Sequence, residues 1–114
     1  MTKRRIQPLL EQNFDVTGIV TATSFTSKSD INLKTDIVPI ENPIDKIIKI
    51  NGVSFNWKNT NESSIGVIAQ EVEMVFPELV TMSEYKSVNY NGLIGVLIEA
   101  VKELKKEIEE LKNN

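Results

Sequence analysis

The chain has 114 residues, 40% of them hydrophobic, and a formal net charge of −3. That suits one small domain with an appendage, only modestly stable as a lone protomer because small domains bury a smaller fraction of their surface, and it lacks the basic footprint of a nucleic-acid binder. With no cysteine and no histidine, disulfides, thiolate or imidazole metal sites, Ser-His-Asp triads and Cys-His pairs are excluded; proton transfer near neutral pH falls to Lys, Asp, Glu or Tyr. No apolar run approaches the roughly 18 residues of a membrane span, and the N-terminus shows no signal-peptide core. A soluble chain made in the cytosol is expected, with no cofactor.

Residues 1–13 read as a polar lead-in, with Lys3-Arg4-Arg5 solvated. From Phe14 to Thr26 the β-formers Val16, Thr17, Ile19, Val20, Thr21, Thr23 and Phe25 predict a strand or hairpin, with Gly18 at a turn or bulge. Ser27 to Asn32 is turn-like, and Leu33 to Ile40 is extended. Asn42-Pro43 opens a helix, Asn42 as N-cap and Pro43 in the first turn, with Ile44, Ile47 and Ile48 on one face. After Asn51-Gly52, the alternation of Val53, Phe55 and Trp57 predicts a half-buried strand that places Trp57 in the core. A polar loop over Asn59 to Ser64 leads to a short strand, Ile65 to Ile68. A helix over Ala69 to Phe76 carries Val72, Val75 and Phe76 on its apolar face and stops at Pro77. Leu79-Val80 and Lys86 to Tyr90 make short strands around a turn.

The last segment has the clearest period. Ile94, Leu97, Val101, Leu104, Ile108 and Leu111 are spaced 3, 4, 3, 4, 3, with Glu and Lys outside. This is a coiled-coil seam of about two and a half heptads over residues 91–112. The same stripe also suits a helix packed on its own domain, and both readings stand. Ile or Val alternating with Leu by itself favours a parallel dimer.

Three further constellations stand beside bland readings. Ser29 and Lys34 lie five positions apart in Ser29-Asp30-Ile31-Asn32-Leu33-Lys34. On a helix they would sit about 140° apart and on a strand they would face opposite sides, so they meet only if the segment turns; Asp30 and Asn32 are turn-formers. A Ser-Lys pair can perform nucleophilic catalysis if burial makes the amine neutral. Alternatively Ser29 or Asp30 caps a turn and Lys34 is solvated. Gly66 belongs to no phosphate loop, since no second glycine or Lys-Ser/Thr follows. Gln70 and Glu71 open a helix at a strand-to-helix corner, where a carboxylate suits the dipole.

Taken in order, Ser29-Asp30-x-x-Leu33-Lys34-Thr35-Asp36-Ile37, Asn51-Gly52-Val53-x-Phe55-x-Trp57, Gly66-Val67-Ile68-Ala69-Gln70-Glu71-Val72-Glu73, Phe76-Pro77-Glu78-Leu79-Val80 and Val88-x-Tyr90 resemble the chaperone-of-endosialidase domain. This intramolecular chaperone auto-processing domain is found at the C-terminus of phage tailspikes and tail fibres. The resemblance covers roughly residues 29–114 and implies a small intertwined α+β domain, trimeric, with bundled C-terminal helices. Residues 1–28 then look like the β-rich end of a fibre shaft. The family implies cleavage before the motif serine, here at Lys28-Ser29, with Ser29 as nucleophile and Lys34 as base. Asp30 either orients Lys34 or holds the turn. The implied partners are other copies of the chain, as a homotrimer, and the upstream fibre domain, with no nucleic acid and no membrane. The implied setting is host cytoplasm during phage assembly, with the mature fibre in the virion tail and the chaperone released. Two alternatives use the same residues: a structural trimerisation cap that never cuts, and the same domain in a membrane-tethered transcription factor, whose DNA-binding module and membrane helix this chain does not show.

Overall fold

The computed structural model describes residues 14–114, so the lead-in with Lys3, Arg4 and Arg5 lies outside the described residues. The chain divides into two compact units, one ending at Asp36 and the other spanning Ile37–Asn114.

In the first unit, residues 14–28 form no strand, contrary to the expectation from their β-formers. Val16, Ile19, Val20 and Phe25 are exposed. β-propensity expresses packing on a pleated, half-buried surface and needs a neighbouring strand; none pairs with this stretch among the described residues. Gly18 has φ +129, a conformation that favours glycine. Among the described residues of this unit the regular element is a single 3-10 turn, Ile31–Leu33.

The second unit is α+β. In chain order it contains α1 (Pro43–Ile47), β1 (Val53–Asn56), β2 (Ser63–Gly66), α2 (Ala69–Val75), a 3-10 turn (Pro77–Leu79), β3 (Val80–Met82), β4 (Lys86–Val88) and α3 (Tyr90–Lys112). The strands make two separate antiparallel hairpins, β1 with β2 and β3 with β4.

Pro43 starts α1 with its φ already helical. Asn42 precedes it as expected, but it is left-handed and its side chain makes no cap bond. The carboxylate of Glu103, on α3, instead accepts from the Ile44 N–H at 3.4 Å. Ile44 and Ile47 are half-buried, whereas Ile48 is exposed and Ile50 packs inward in its place. Ile48 is the C-cap of this helix and still helical in backbone, its N–H donating to the Ile44 carbonyl at 3.1 Å.

In β1, Val53 and Phe55 face inward and Ser54 and Asn56 outward. The strand ends at Asn56, so the alternation does not carry on to Trp57, which is 55% exposed and meets Phe55 edge-to-face at 4.9 Å. The expectation of a core tryptophan is therefore corrected. Val53 pairs with Gly66 across the hairpin. A side chain at Gly66 would come within 2.7 Å of the Tyr90 hydroxyl, so this strand end is closed to larger residues. That hydroxyl accepts from the Val67 N–H at 3.2 Å and ties β2 to the first turn of α3.

The second half follows the expected order of elements, except that β4 stops at Val88 and Tyr90 opens α3 instead of ending a strand. Val72 and Phe76 are buried, and Pro77, with no N–H to donate, ends α2. Glu71 reaches back to the Asn51 N–H at 3.0 Å, a structural anchor for the turn before β1. Glu73 on α2 pairs with Lys86 on β4. Asn89 caps α3 by accepting from the Asn91 N–H at 3.1 Å. Val72, Phe76, Leu93 and Val96 form the core, flanked by Ile40, Ile47, Ile50 and Leu79.

Candidate functional site

Two features are candidates for chemistry or recognition, one in each unit. In the first unit, the 3-10 turn converts a spacing of five residues into contact. Asp30 is extended (φ −65, ψ 135), and its carboxylate accepts from the Asn32 N–H at 2.8 Å. The Leu33 N–H then bonds the Asp30 carbonyl at 3.0 Å and the Lys34 N–H the Ile31 carbonyl at 3.1 Å. Lys34 leaves the turn extended (φ −120, ψ 153). Its Nζ donates to Ser29 Oγ at 2.8 Å. Of the two roles open to Asp30, the observed bond is the one that holds the turn. Short polar side chains that bond backbone N–H groups two residues on stabilise such turns.

Lys28, Ser29, Asp30 and Lys34 are all exposed. Asp36, two residues beyond the pair, is left-handed at φ 53, a conformation Asp tolerates better than most residues. The pair is thus built from one short segment of one chain. With Oγ within hydrogen-bond reach of a nitrogen, a proton can pass from serine to a neutral amine.

The second feature is α3. Its apolar residues form two stripes rather than one. Leu93, Val96 and Ala100 are buried in the domain. Ile94, Leu97, Val101, Leu104, Ile108 and Leu111 all face outward, from 48% exposed at Leu104 to 72% at Leu111. The inner stripe also runs at a 3, 4 spacing and went unrecognised because the longer outer stripe accounts for the heptad by itself. Ile98, also exposed, adjoins the outer stripe, and a shallow apolar groove runs along Ile94, Leu97, Ile98 and Val101. Among the described residues no cluster of acidic side chains is arranged to hold a metal ion.

Residues 29–81 match the family model described as chaperone of endosialidase, and the chain belongs to that family. The match begins at Ser29 itself. Among characterised relatives, the chain is 34% identical over 116 residues to the long tail fiber protein Gp37 of Salmonella phage S16, across 84% of this chain and 16% of that protein. It is 39% identical over 88 residues to the protein of the same name from Escherichia phage AR1, across 67% of this chain and 8% of that one. The chain therefore corresponds to a small fraction of the length of these relatives.

Proposed function

We propose that this domain is an intramolecular trimerisation chaperone of a phage tail fibre or tailspike, which releases itself by breaking the Lys28-Ser29 bond. The observation that carries the reading is the 2.8 Å contact between Lys34 Nζ and Ser29 Oγ. It is supported by membership of the chaperone family, by tail-fibre relatives and by the exposed stripe of α3. In this reading the domain assembles in host cytoplasm, the fibre goes to the virion tail and the chaperone departs.

The chemistry uses this chain's own groups. Neutral Lys34 Nζ takes the Ser29 hydroxyl proton as Oγ attacks the carbonyl carbon of Lys28. The tetrahedral intermediate collapses by breaking the bond from that carbon to the Ser29 nitrogen, which receives the proton from Lys34. The amide has then become an ester between Lys28 and Ser29 Oγ. Water, deprotonated by Lys34, hydrolyses the ester. The products are a Lys28 carboxylate and a chain that begins at Ser29 with its amine and hydroxyl free.

In the single protomer the pair is open to water. Desolvation disfavours the charged form. Closure of neighbouring protomers over the turn supplies that desolvation, so cutting follows assembly. Asp30 positions the pair by holding the turn.

Intact mass of freshly purified protein, followed over time, tests the proposal. Wild type should trimerise and lose the segment before Ser29. Ser29→Ala should trimerise and stay whole. Lys34→Arg should stay whole too, since guanidinium remains protonated. The rate should rise with pH, because only the neutral amine accepts a proton. A wild-type trimer that stays intact throughout would leave a structural cap, and cutting of Ser29→Ala at the same bond would remove Ser29 as nucleophile.

A further inference from the structure

An asparagine followed by glycine exposes its carboxamide to attack by its own backbone, because glycine has no Cβ to shield the amide nitrogen and its backbone turns freely. The chain carries this pair twice, at Asn51-Gly52 and at Asn91-Gly92. The fold treats the two differently. Asn91 and Gly92 lie in the first turn of α3, where the backbone is helical and the Gly92 N–H donates to the Asn89 carbonyl at 3.2 Å. Gly92 is also half-buried, and a side chain there would strike Leu79. Asn51 and Gly52 lie between α1 and β1, exposed and outside any regular element. Among the described residues the Gly52 N–H donates to no backbone carbonyl outside the strand ladders, and the space beside its Cα is open.

Glu71, in the first turn of α2, is what holds Asn51. Its Oε1 accepts from the Asn51 N–H at 3.0 Å. The Asn51 Nδ2 donates to Oε1 at 3.3 Å and to Oε2 at 3.4 Å. An ionised carboxylate only accepts, so the NH2 edge of the carboxamide is the edge that faces it. Two restraints follow. The carboxamide must leave these bonds before its carbon can turn to the Gly52 nitrogen. The attacking species is the deprotonated Gly52 nitrogen, and a carboxylate close by disfavours a second negative charge.

We infer that Asn51-Gly52 is a self-modification site, restrained by Glu71, whose conversion undoes the anchor between α2 and the turn before β1. The Gly52 nitrogen loses its proton to hydroxide and attacks Asn51 Cγ, forming a new C–N bond. The bond from Cγ to Nδ2 breaks, and Nδ2 takes a proton from water and leaves as ammonia. Water then opens the succinimide ring. Attack at Cγ gives aspartate, and attack at the main-chain carbonyl gives isoaspartate, in which the chain runs through the former side chain. One water is consumed and one ammonia released, with no oxidation or reduction. Either product replaces the NH2 donor with a carboxylate beside the Glu71 carboxylate. The Nδ2 bonds are lost, and like charges at this separation repel.

Timed incubation of the full chain tests the site, with Ser29→Ala present so that cutting does not alter the charge. Ion-exchange chromatography reads the acidic form and peptide mass mapping its position. The parent should convert at Asn51 but not at Asn91, and faster as pH rises. Gly52→Ala adds a Cβ that meets nothing within 4 Å, so it should fold like the parent and lose most of the conversion. Glu71→Gln should speed conversion on the order of tenfold, the effect of about one unit in the acidity of the attacking N–H. Asn51→Asp, which makes the aspartyl product directly, should lower the urea midpoint at matched protein concentration. Combining it with Glu71→Gln should recover most of the loss. An Asn51 that stays unconverted at alkaline pH overturns the site, and an Asn91 that converts as fast overturns its selection by the fold. A Glu71→Gln rate no higher than the parent's overturns the restraint. An unchanged midpoint for Asn51→Asp overturns the released anchor. None of these outcomes depends on assembly or on cutting at Lys28-Ser29.

Discussion

The two apolar stripes of α3 have nearly the same spacing and opposite fates. Leu93 and Val96 are sealed against Val72, Phe76 and their neighbours and Ala100 is buried, whereas Leu97, Val101 and Leu104 lie open on the same helix. The difference arises because the body covers only the N-terminal half of α3. Beyond Glu103 every residue is exposed, and the outer stripe continues there through Leu104, Ile108 and Leu111. One helix thus has an inner face that stabilises the protomer and an outer face available to other chains. Periodicity alone reports that a face is apolar and is silent on what covers it.

The largest expected effect comes from the outer face. Leu104→Asp places a charge in the seam, where an unpaired buried charge is costly. Light scattering should then give the 12.9 kDa chain mass where the parent gives three times that, and cutting at Lys28-Ser29 should stop with assembly. A fully assembled Leu104→Asp protein would break the division between the faces.

The inner face should behave in the opposite way. Leu93→Ala removes core volume and should cost the protomer about 2–5 kcal/mol. A urea titration in the Leu104→Asp background measures this without assembly. An unchanged midpoint would mean that the inner stripe does not support the fold.

The smallest effect is expected at Trp57. Its ring is more than half exposed and its contact with Phe55 is edge-to-face. Aromatic pairs of this kind contribute roughly 0.5–1.5 kcal/mol beyond burial, so Trp57→Ala in the same monomeric background should cost about 1 kcal/mol. A loss of several kcal/mol would return the ring to the core.

The candidate site was half legible. Ser29 and Lys34 were visible as residue types, and the turn-formers Asp30 and Asn32 between them allowed contact. Spacing could not decide contact, since a helix and a strand would each have separated the pair. A single 3-10 turn held by the Asp30 carboxylate decided it. Residues 14–28 show the reverse. Their β-formers are plain, yet no strand forms there, because a strand depends on a neighbour that local sequence does not supply.

The sequence by itself determined the elements whose causes are local. Pro43 and Pro77 bound helices because proline lacks an N–H, and the 3, 4 spacing from Ile94 to Leu111 made α3 a helix with an apolar stripe. The order of motifs from Ser29 to Tyr90 carried the family. Tertiary structure decided whatever depended on residues far apart in the chain. It left Trp57 outside, brought Glu103 to the start of α1 across 59 positions, and set the Tyr90 hydroxyl against Gly66. It also gave Leu93 rather than Leu97 to the core. Local propensity and period act over a turn or two of backbone, whereas burial is settled by which surfaces meet once the chain has closed on itself.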